Sequence, residues 1–134
     1  MNVTPEMSQL PNKVADNMRE DRSHRTMGTE NYWVHLFGLK YTDGVKAHAT
    51  LAEAWWLIDA IASYQPDLKR HEEKHRWWMV WKLKVKKDGT AVLTARSDTG
   101  ERPFITQKLE FTTHPEGEWD FWQEGNVLII PEEH

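Results

Sequence analysis

The sequence predicts an α+β fold in which N-terminal helices, with one long core helix at about residues 43–64, pack on an antiparallel meander of four to five strands. Three observations predict it. The stretch from Val45 to Tyr64 is apolar around most of a helical circumference, which is typical of a core helix. Hydrophobicity then switches to a period of two at residues 77–86, which is typical of a half-buried strand. Short Gly- or Pro-containing segments separate the remaining apolar runs, as in strands joined by hairpins.

The first 27 residues predict a polar N-terminal arm, followed by a single domain over residues 28–134. The arm contains Pro5 and Pro11 and has little periodicity, so we expect at most a short helical turn within residues 12–22. Thr29 then precedes an apolar run with spacings of three and four: Tyr32, Trp33, Leu36 and Phe37. This run predicts a short capped helix that ends at Gly38.

The long helix is predicted to begin after Thr42 or Asp43, because either side chain can accept a hydrogen bond from the free N–H groups of a first turn. Lys46, Thr50 and Glu53 form its only polar stripe, and Pro66 ends it. A charged connector at residues 66–75 leads to the strands.

The strands are predicted at residues 77–86, 91–96, 104–111, 119–122 and 127–130. Asp88 and Gly89 predict a type I′ hairpin turn, which needs positive φ at both central residues. Within residues 77–86 the odd positions are expected to face the core and the lysines to face solvent.

The composition excludes several classes of protein. None of the 134 residues is cysteine, which excludes a disulfide framework, a thiol nucleophile, iron–sulfur ligation and cysteine-based zinc sites. No run approaches the roughly 20 apolar residues of a membrane span, and the first ten residues lack the pattern of a signal peptide. We therefore expect a cytoplasmic protein without a membrane partner.

Charge is distributed unevenly along the chain, although the formal net charge is only −4. Residues 69–87 are strongly basic and residues 101–134 strongly acidic. We expect the two segments to neutralise each other within the fold or across a dimer, the alternative being a basic face for an anionic partner.

Tryptophan is unusually frequent, with eight residues in the chain. Because tryptophan is enriched both in cores and at binding surfaces, and a chain of this size does not bury all eight, we expect some of them to reach the surface. They are Trp33, Trp55, Trp56, Trp77, Trp78, Trp81, Trp119 and Trp122.

The segment from His71 to His75 matches the HExxH pattern of zinc peptidases, in which two histidines one helical turn apart bind the metal and the glutamate, here Glu72, activates water. The charged residues between the histidines and the strand pattern that follows argue against such an enzyme, since no downstream helix offers a third ligand. We therefore predict neither a metal nor another cofactor. If a metal binds at all, His71 and His75 are its ligands.

Asp59 lies one helical turn from Trp55 and Trp56, where a carboxylate must find hydrogen-bond donors or raise its pKa. The simpler interpretation is a buried, hydrogen-bonded acid. The functional alternative is a polar anchor, with His35 or His48 as partner, in a ligand pocket lined by Trp55, Trp56 and Tyr41.

Lys82, Lys84 and Lys86 share a strand face with Trp78. Lysines beside an exposed aromatic ring can hold a phosphate backbone and stack a base, so nucleic-acid binding is an alternative function. An ordinary solvated strand face explains the same pattern, and the acidic total argues against a polyanion partner.

The chain contains the strings YTDGV at residues 41–45 and WLIDAIASYQ at residues 56–65. With these strings it resembles a family of small uncharacterised bacterial proteins, some of them associated with plasmids, and the similarity extends over about residues 28–131. The resemblance implies a bacterial intracellular protein that travels on mobile DNA, and it implies no activity or catalytic residue.

The sequence favours a non-enzymatic interaction protein that binds a protein partner or self-associates. No catalytic residue is predicted, and no phosphate loop, nucleophile elbow or dinucleotide motif is present. The candidate binding residues are Trp33, His35, Tyr41, Trp55, Trp56, Asp59, Trp78, Lys82 and Lys84.

Overall fold

A seven-stranded sheet with helices against one face is the frame of the computed structural model, which describes residues 5–70, 78–97 and 102–134. The helices are α1 (Pro5–Ser23), α2 (Asp43–Leu51), α3 (Trp55–Ser63) and α4 (Gln65–Arg70), and the 3-10 turns are η1 (Leu36–Gly38) and η2 (Pro131–Glu133). The strands are β1 (Tyr32–Val34), β2 (Lys40–Thr42), β3 (Trp78–Val85), β4 (Ala91–Arg96), β5 (Ile105–Leu109), β6 (Gly117–Glu124) and β7 (Val127–Ile129).

The order of strands across the sheet is β1-β2-β7-β6-β3-β4-β5. Neighbours are antiparallel except β2 and β7, which run parallel and pair Tyr41 with Leu128. The predicted α+β class and mostly antiparallel sheet are confirmed. The predicted number of strands is wrong, because β1 and β2 add a hairpin beside β7 that the sequence pattern did not indicate.

The core lies between the helices and the face of the sheet that carries Trp81, Leu83, Trp119 and Phe121, all of which are buried. Trp81 pairs with Phe121 and Leu83 with Trp119 across β3 and β6, so these side chains share one face. The alternate positions, which include Lys82 and Lys84, form the opposite face, which we call the open face.

The predicted long core helix at 43–64 is wrong, because the chain leaves the helix between Leu51 and Trp55. Glu53 has a φ of +51°, and the N–H groups of Glu53 and Ala54 donate to the carbonyls of Thr50 and Ala49. This is a Schellman motif, which normally places glycine in the left-handed position. A glutamate there gives no sequence signal, so the pattern does not indicate the break.

The segment predicted as a helix at residues 29–38 instead forms β1 and η1. Tyr, Trp and Val favour extended backbone, and their register with β2 outweighs a helical spacing that only four apolar positions suggested.

The hairpin between β3 and β4 has a different turn from the predicted type I′. Gly89 has a φ of +89°, whereas Asp88 keeps a negative φ. Lys86 N–H donates to the Thr90 carbonyl at 2.8 Å, and Gly89 N–H donates to the Lys86 carbonyl at 3.0 Å. This is a type I turn followed by a bulge at glycine.

Helix α1 occupies much of the predicted N-terminal arm and is longer than the short turn expected there. Met18 enters the core, and Arg22 is buried, donating from Nη1 to the Asp120 carbonyl at 2.9 Å and lying 3.5 Å from a Glu132 carboxylate oxygen. Among the described residues, no helix is long and apolar enough to cross a bilayer.

Candidate interaction surface

Strand β1 is one edge of the sheet, and the sequence builds it from β-favouring residues. Tyr32, Trp33 and Val34 pair with Thr42, Tyr41 and Lys40 of β2. On its other side β1 has no strand neighbour among the described residues. The backbone groups that point away from β2 are therefore available to another chain.

The turn after β1 displays two large apolar side chains. His35 N–H donates to the Leu39 carbonyl at 2.7 Å, which closes a tight loop around Leu36 and Phe37. Phe37 has a φ of +58°, a conformation that a bulky residue rarely adopts. Both Leu36 and Phe37 are more than half exposed. A strained backbone that presents apolar groups to water indicates a functional constraint.

A side-chain hydrogen bond and a row of rings anchor this turn to α3. His35 Nε2 lies 2.6 Å from Asp59 Oδ1. The rings of His35 and Tyr41 meet edge-on at 6.0 Å, as do those of Tyr41 and Trp55 at 5.9 Å. Edge-to-face contacts at these separations are attractive, so the turn, β2 and the start of α3 form one support.

Asp43 holds the other end of β1. Its carboxylate accepts hydrogen bonds from Trp33 Nε1 at 3.1 Å and from the backbone N–H groups of Glu30 and Asn31. Burial acts to raise the pKa of Asp43, but these hydrogen bonds outweigh it and lower the pKa below 3.8. Lys46 Nζ lies 3.5 Å from the centre of the Trp33 ring, a cation–π contact.

The result is a concentration of exposed apolar side chains at one end of the sheet. Of the ten large exposed hydrophobic residues in the described parts of the chain, six belong to β1, its turn and the start of α3. We call them the edge patch: Tyr32, Trp33, Val34, Leu36, Phe37 and Trp55. Exposed apolar groups gathered in one place mark interaction sites more often than scattered ones do.

The structure thus brings together five of the predicted binding residues, Trp33, His35, Tyr41, Trp55 and Asp59. The expectation that Asp59 is a buried acid is wrong, because its side chain is 61% exposed. The reason is that Asp59 lies on the outer side of α3, where it pairs with a histidine rather than with an indole N–H.

Trp56, the remaining predicted binding residue of α3, is half-buried against the core. It borders a shallow groove together with Asp59, Ala60 and Ser63. Neither Trp55 nor Tyr41, the other two residues of the predicted ligand pocket, borders this groove, and Tyr41 is buried in the core.

Trp78, Lys82 and Lys84 lie on the open face and are not members of the edge patch. Lys82 Nζ is 3.8 Å from Asp120 and 4.0 Å from Glu118, and Lys84 Nζ is 4.0 Å from Glu118. These acids belong to the segment that the sequence showed to be acidic, so the basic and acidic segments neutralise each other here within one fold.

Trp78 does not offer a free stacking platform beside these lysines. Its ring contacts those of Trp122 at 5.0 Å and His134 at 5.6 Å. The combination of paired lysines and a ring packed against neighbours argues against the nucleic-acid alternative.

A buried chain of hydrogen bonds runs beneath α1. Arg22 Nη2 lies 3.0 Å from His48 Nδ1, His48 Nε2 lies 2.8 Å from His114 Nε2, and His114 Nδ1 lies 2.9 Å from the Pro115 carbonyl. Because Pro115 can only accept and Arg22 can only donate, each neutral ring donates to the next acceptor in one direction. Both ring nitrogens of His48 and of His114 therefore have a hydrogen-bond partner.

Burial sets the protonation of these groups. Desolvation lowers the pKa of His114 to about 4 and that of His48 well below 6.5, and the nearby Arg22 acts in the same direction. Desolvation also lowers the pKa of Arg22 to about 10, although Glu132 opposes it. At neutral pH both histidines are uncharged and Arg22 is charged, an arrangement that joins α1 to α2 and β6.

His71, Glu72 and His75 lie outside the described residues, as does Trp77. In residues 5–70, 78–97 and 102–134 there is no group of three His, Asp or Glu side chains placed to hold a metal ion.

Sequence reasoning missed four members of the edge patch, Tyr32, Val34, Leu36 and Phe37, because a helix there would have buried some of them. The available signal was the pair of residues Phe37 and Gly38 before a β-favouring run, which is compatible with a tight turn between strands.

A family model described as a family of unknown function (DUF6876) matches residues 17–134. No curated protein and no solved structure matches the chain.

Proposed function

The chain belongs to a family of unknown function (DUF6876), and on that premise we propose that it is a non-enzymatic protein-interaction domain whose contact surface is the edge patch. The main support for this proposal is that six of the ten large exposed hydrophobic side chains of the described residues lie at this edge. An association of the chain with mobile DNA remains a prediction from its sequence.

The composition of the edge patch supports a protein partner. Three of its six residues are Trp or Tyr, the types most enriched among the side chains that dominate binding energy at protein interfaces. These rings need little ordering on binding, because the Trp33 indole is already hydrogen-bonded to Asp43 and Trp55 already packs against Tyr41. A pre-ordered aromatic surface spends less free energy on association than a mobile one.

The His35–Asp59 pair has a positioning role in this proposal. In the described residues, His35 forms hydrogen bonds with Asp59 and, through its backbone, with Leu39, and no serine or threonine hydroxyl bonds to its ring. A nucleophile adjacent to the base would be expected in a hydrolase. The pair fixes the exposed turn against α3.

Site-specific photo-crosslinking tests the proposal, because it captures a binding partner whose identity is unknown. A photoreactive phenylalanine analogue replaces Tyr32 in the edge patch, and in a matched control it replaces Phe111, an exposed aromatic residue beyond the opposite edge strand β5. We expect a discrete crosslinked product in the native host from position 32 and none from position 111. Equal labelling at both positions, or none at 32, contradicts the proposal.

Phe37 offers a test in which stability and binding move in opposite directions. Replacement by glycine relieves the left-handed strain and should stabilise the fold by about 1 kcal/mol. The same change removes a side chain of the edge patch and should weaken capture of the crosslinked partner at least tenfold. A variant that binds as well as the parent would show that Phe37 has no part in the interaction.

A further inference from the structure

We infer that the partner is a second copy of this chain, joined through antiparallel pairing of the two β1 strands so that the sheets of both protomers become continuous. The inference rests on the proposed function, since it names the occupant of the same surface.

The backbone of β1 is oriented for this pairing. In an antiparallel ladder, residues that exchange hydrogen bonds with the neighbouring strand alternate with residues whose N–H and C=O point away. His35 N–H donates to Leu39, its partner in the β1–β2 register, and Asn31 N–H donates to Asp43 on the same side. Trp33 therefore bonds to β2, and both Tyr32 and Val34 direct their N–H and C=O groups outward.

Tyr32 and Val34, one on each side of Trp33, make the outward edge of β1 complementary to the same edge of a second copy. If a two-fold axis passes at Trp33, Tyr32 of one protomer faces Val34 of the other, and all four outward groups of each strand find partners. Tyr32 and Val34 then form an aromatic–β-branched pair on the open face, one of the favourable cross-strand combinations. The indoles of the two Trp33 residues become neighbours on the helix face.

The segment that contains β1 carries no charged side chain of its own. Residues 31–39 form the longest run in the sequence without Asp, Glu, Lys or Arg. At the opposite edge of the sheet, β5 carries the exposed Lys108, a type of residue that discourages edge pairing. The two edges thus differ: only β1 lacks a charge that would repel its own copy.

The available area limits the size of the interface. The six residues of the edge patch are 37–73% exposed. With the usual size of such side chains they offer at most roughly 600 Å² on each protomer, and at most roughly 1,200 Å² in total, the lower end for a specific interface. Interfaces of this size are typical of weak, reversible complexes, so we expect the dimer to dissociate into monomers on dilution.

Sedimentation velocity at loading concentrations from about 5 to about 500 µM tests the inference, with variants at Val34 chosen for their backbone chemistry. Val34→Pro removes the outward N–H but no hydrogen bond to β2, and proline is tolerated at strand edges. Val34→Thr keeps both the N–H and the branched shape and is the matched control. We expect the parent and Val34→Thr to dimerise and Val34→Pro to dimerise at least tenfold more weakly.

A parent chain that stays monomeric throughout this range overturns the inference, and so does a dimer that Val34→Pro leaves intact. Equal loss of dimer in Val34→Thr also overturns it, because the contact would then depend on the side chain and not on strand pairing. Hydrogen exchange of the Tyr32 and Val34 amides in the parent, which should slow as concentration rises, provides a readout that does not depend on any variant folding. If the parent is monomeric but a photoreactive group at position 32 still crosslinks a different protein, the proposed function stands and only the choice of partner fails.

Discussion

Acidification should destabilise the fold through the buried His48–His114 pair. The pKa of His114 is about 4 in the folded protein, against about 6.5 for an exposed histidine. Because the folded-state pKa is the lower one, the unfolded chain binds the extra proton first. The stabilisation is therefore complete above pH 6.5 and is lost as pH falls toward 4.

The magnitude follows from the shift. A difference of one pKa unit corresponds to about 1.4 kcal/mol, so His114 alone should remove about 2–3 kcal/mol of unfolding free energy between pH 7.5 and pH 4.5. The pKa of His48 is lowered in the same direction, so the observed loss should be larger than this. Asp43 does not contribute in this range, because its pKa is lowered below 3.8 and its loss comes at more acidic pH.

Urea unfolding followed by tryptophan fluorescence at four pH values between 7.5 and 4.5 measures this loss. The variant His114→Gln removes one titrating group, so between pH 7.5 and pH 4.5 it should lose about 2–3 kcal/mol less unfolding free energy than the parent loses. His24→Gln, at an exposed histidine of α1, is the matched control and should follow the parent. If the unfolding free energy of the parent is flat across this range, or if His114→Gln loses as much as the parent, the assignment of two neutral buried imidazoles is refuted.

Three further substitutions test the packing described above. Glu53→Gly should raise the unfolding free energy by about 1 kcal/mol, because glycine adopts the left-handed conformation without strain. Glu53→Ala should not raise it, and thermal denaturation of the two variants and the parent measures the difference. Gly44→Ala should cost about 1–3 kcal/mol, since the added Cβ would lie 2.6 Å from the Glu133 carboxyl group, and Glu133→Ala in the same chain should recover part of the loss, as a double-mutant cycle would show. Gln123→Leu should cost about 2–4 kcal/mol because it leaves the buried Gln65 amide without its reciprocal partner, and a chemical-denaturation midpoint equal to that of the parent would contradict this.

The strands from residue 78 onward could be predicted from the sequence to within about two residues, because their signals are local. The period of two in β3 and the turn residues Asp88 and Gly89 lie next to the elements that they define. The left-handed Glu53 and the pairing of β2 with β7 could not be predicted, since one depends on a conformation that glutamate seldom adopts and the other joins residues more than 80 positions apart.

The candidate site was predictable only in part for the same reason. The contact of His35 with Asp59 was one of the pairings that the sequence allowed, and it depends on how the segment around His35 approaches α3. The exposed Leu36 and Phe37 could not be recognised while their segment was interpreted as a helix. The pairing of His48 with His114 joins residues 66 positions apart, and no local pattern indicates it.

The residues of the string YTDGV are now explained by structure. Thr42 accepts a hydrogen bond from the Val45 N–H at the start of α2, and Asp43 holds Trp33 and the approach to β1. Gly44 leaves room for the Glu133 carboxylate, which accepts from the Gly44 N–H at 3.0 Å and from the Thr42 hydroxyl at 2.5 Å. A carboxylate at a helix N-terminus stabilises the helix by accepting hydrogen bonds from the free N–H groups of the first turn.

The parallel pairing of β2 with β7 has a consequence for how the protein is made. Strand β2 emerges from the ribosome early, but the strand that fixes it in the sheet is synthesised more than 80 residues later. The hairpin of β1 and β2 therefore has no neighbouring strand of the sheet to join until β7 has been synthesised, and a long chain segment must close before the hairpin docks. Until β7 has been made, β1 is not the edge of a completed sheet that a neighbouring nascent chain could extend.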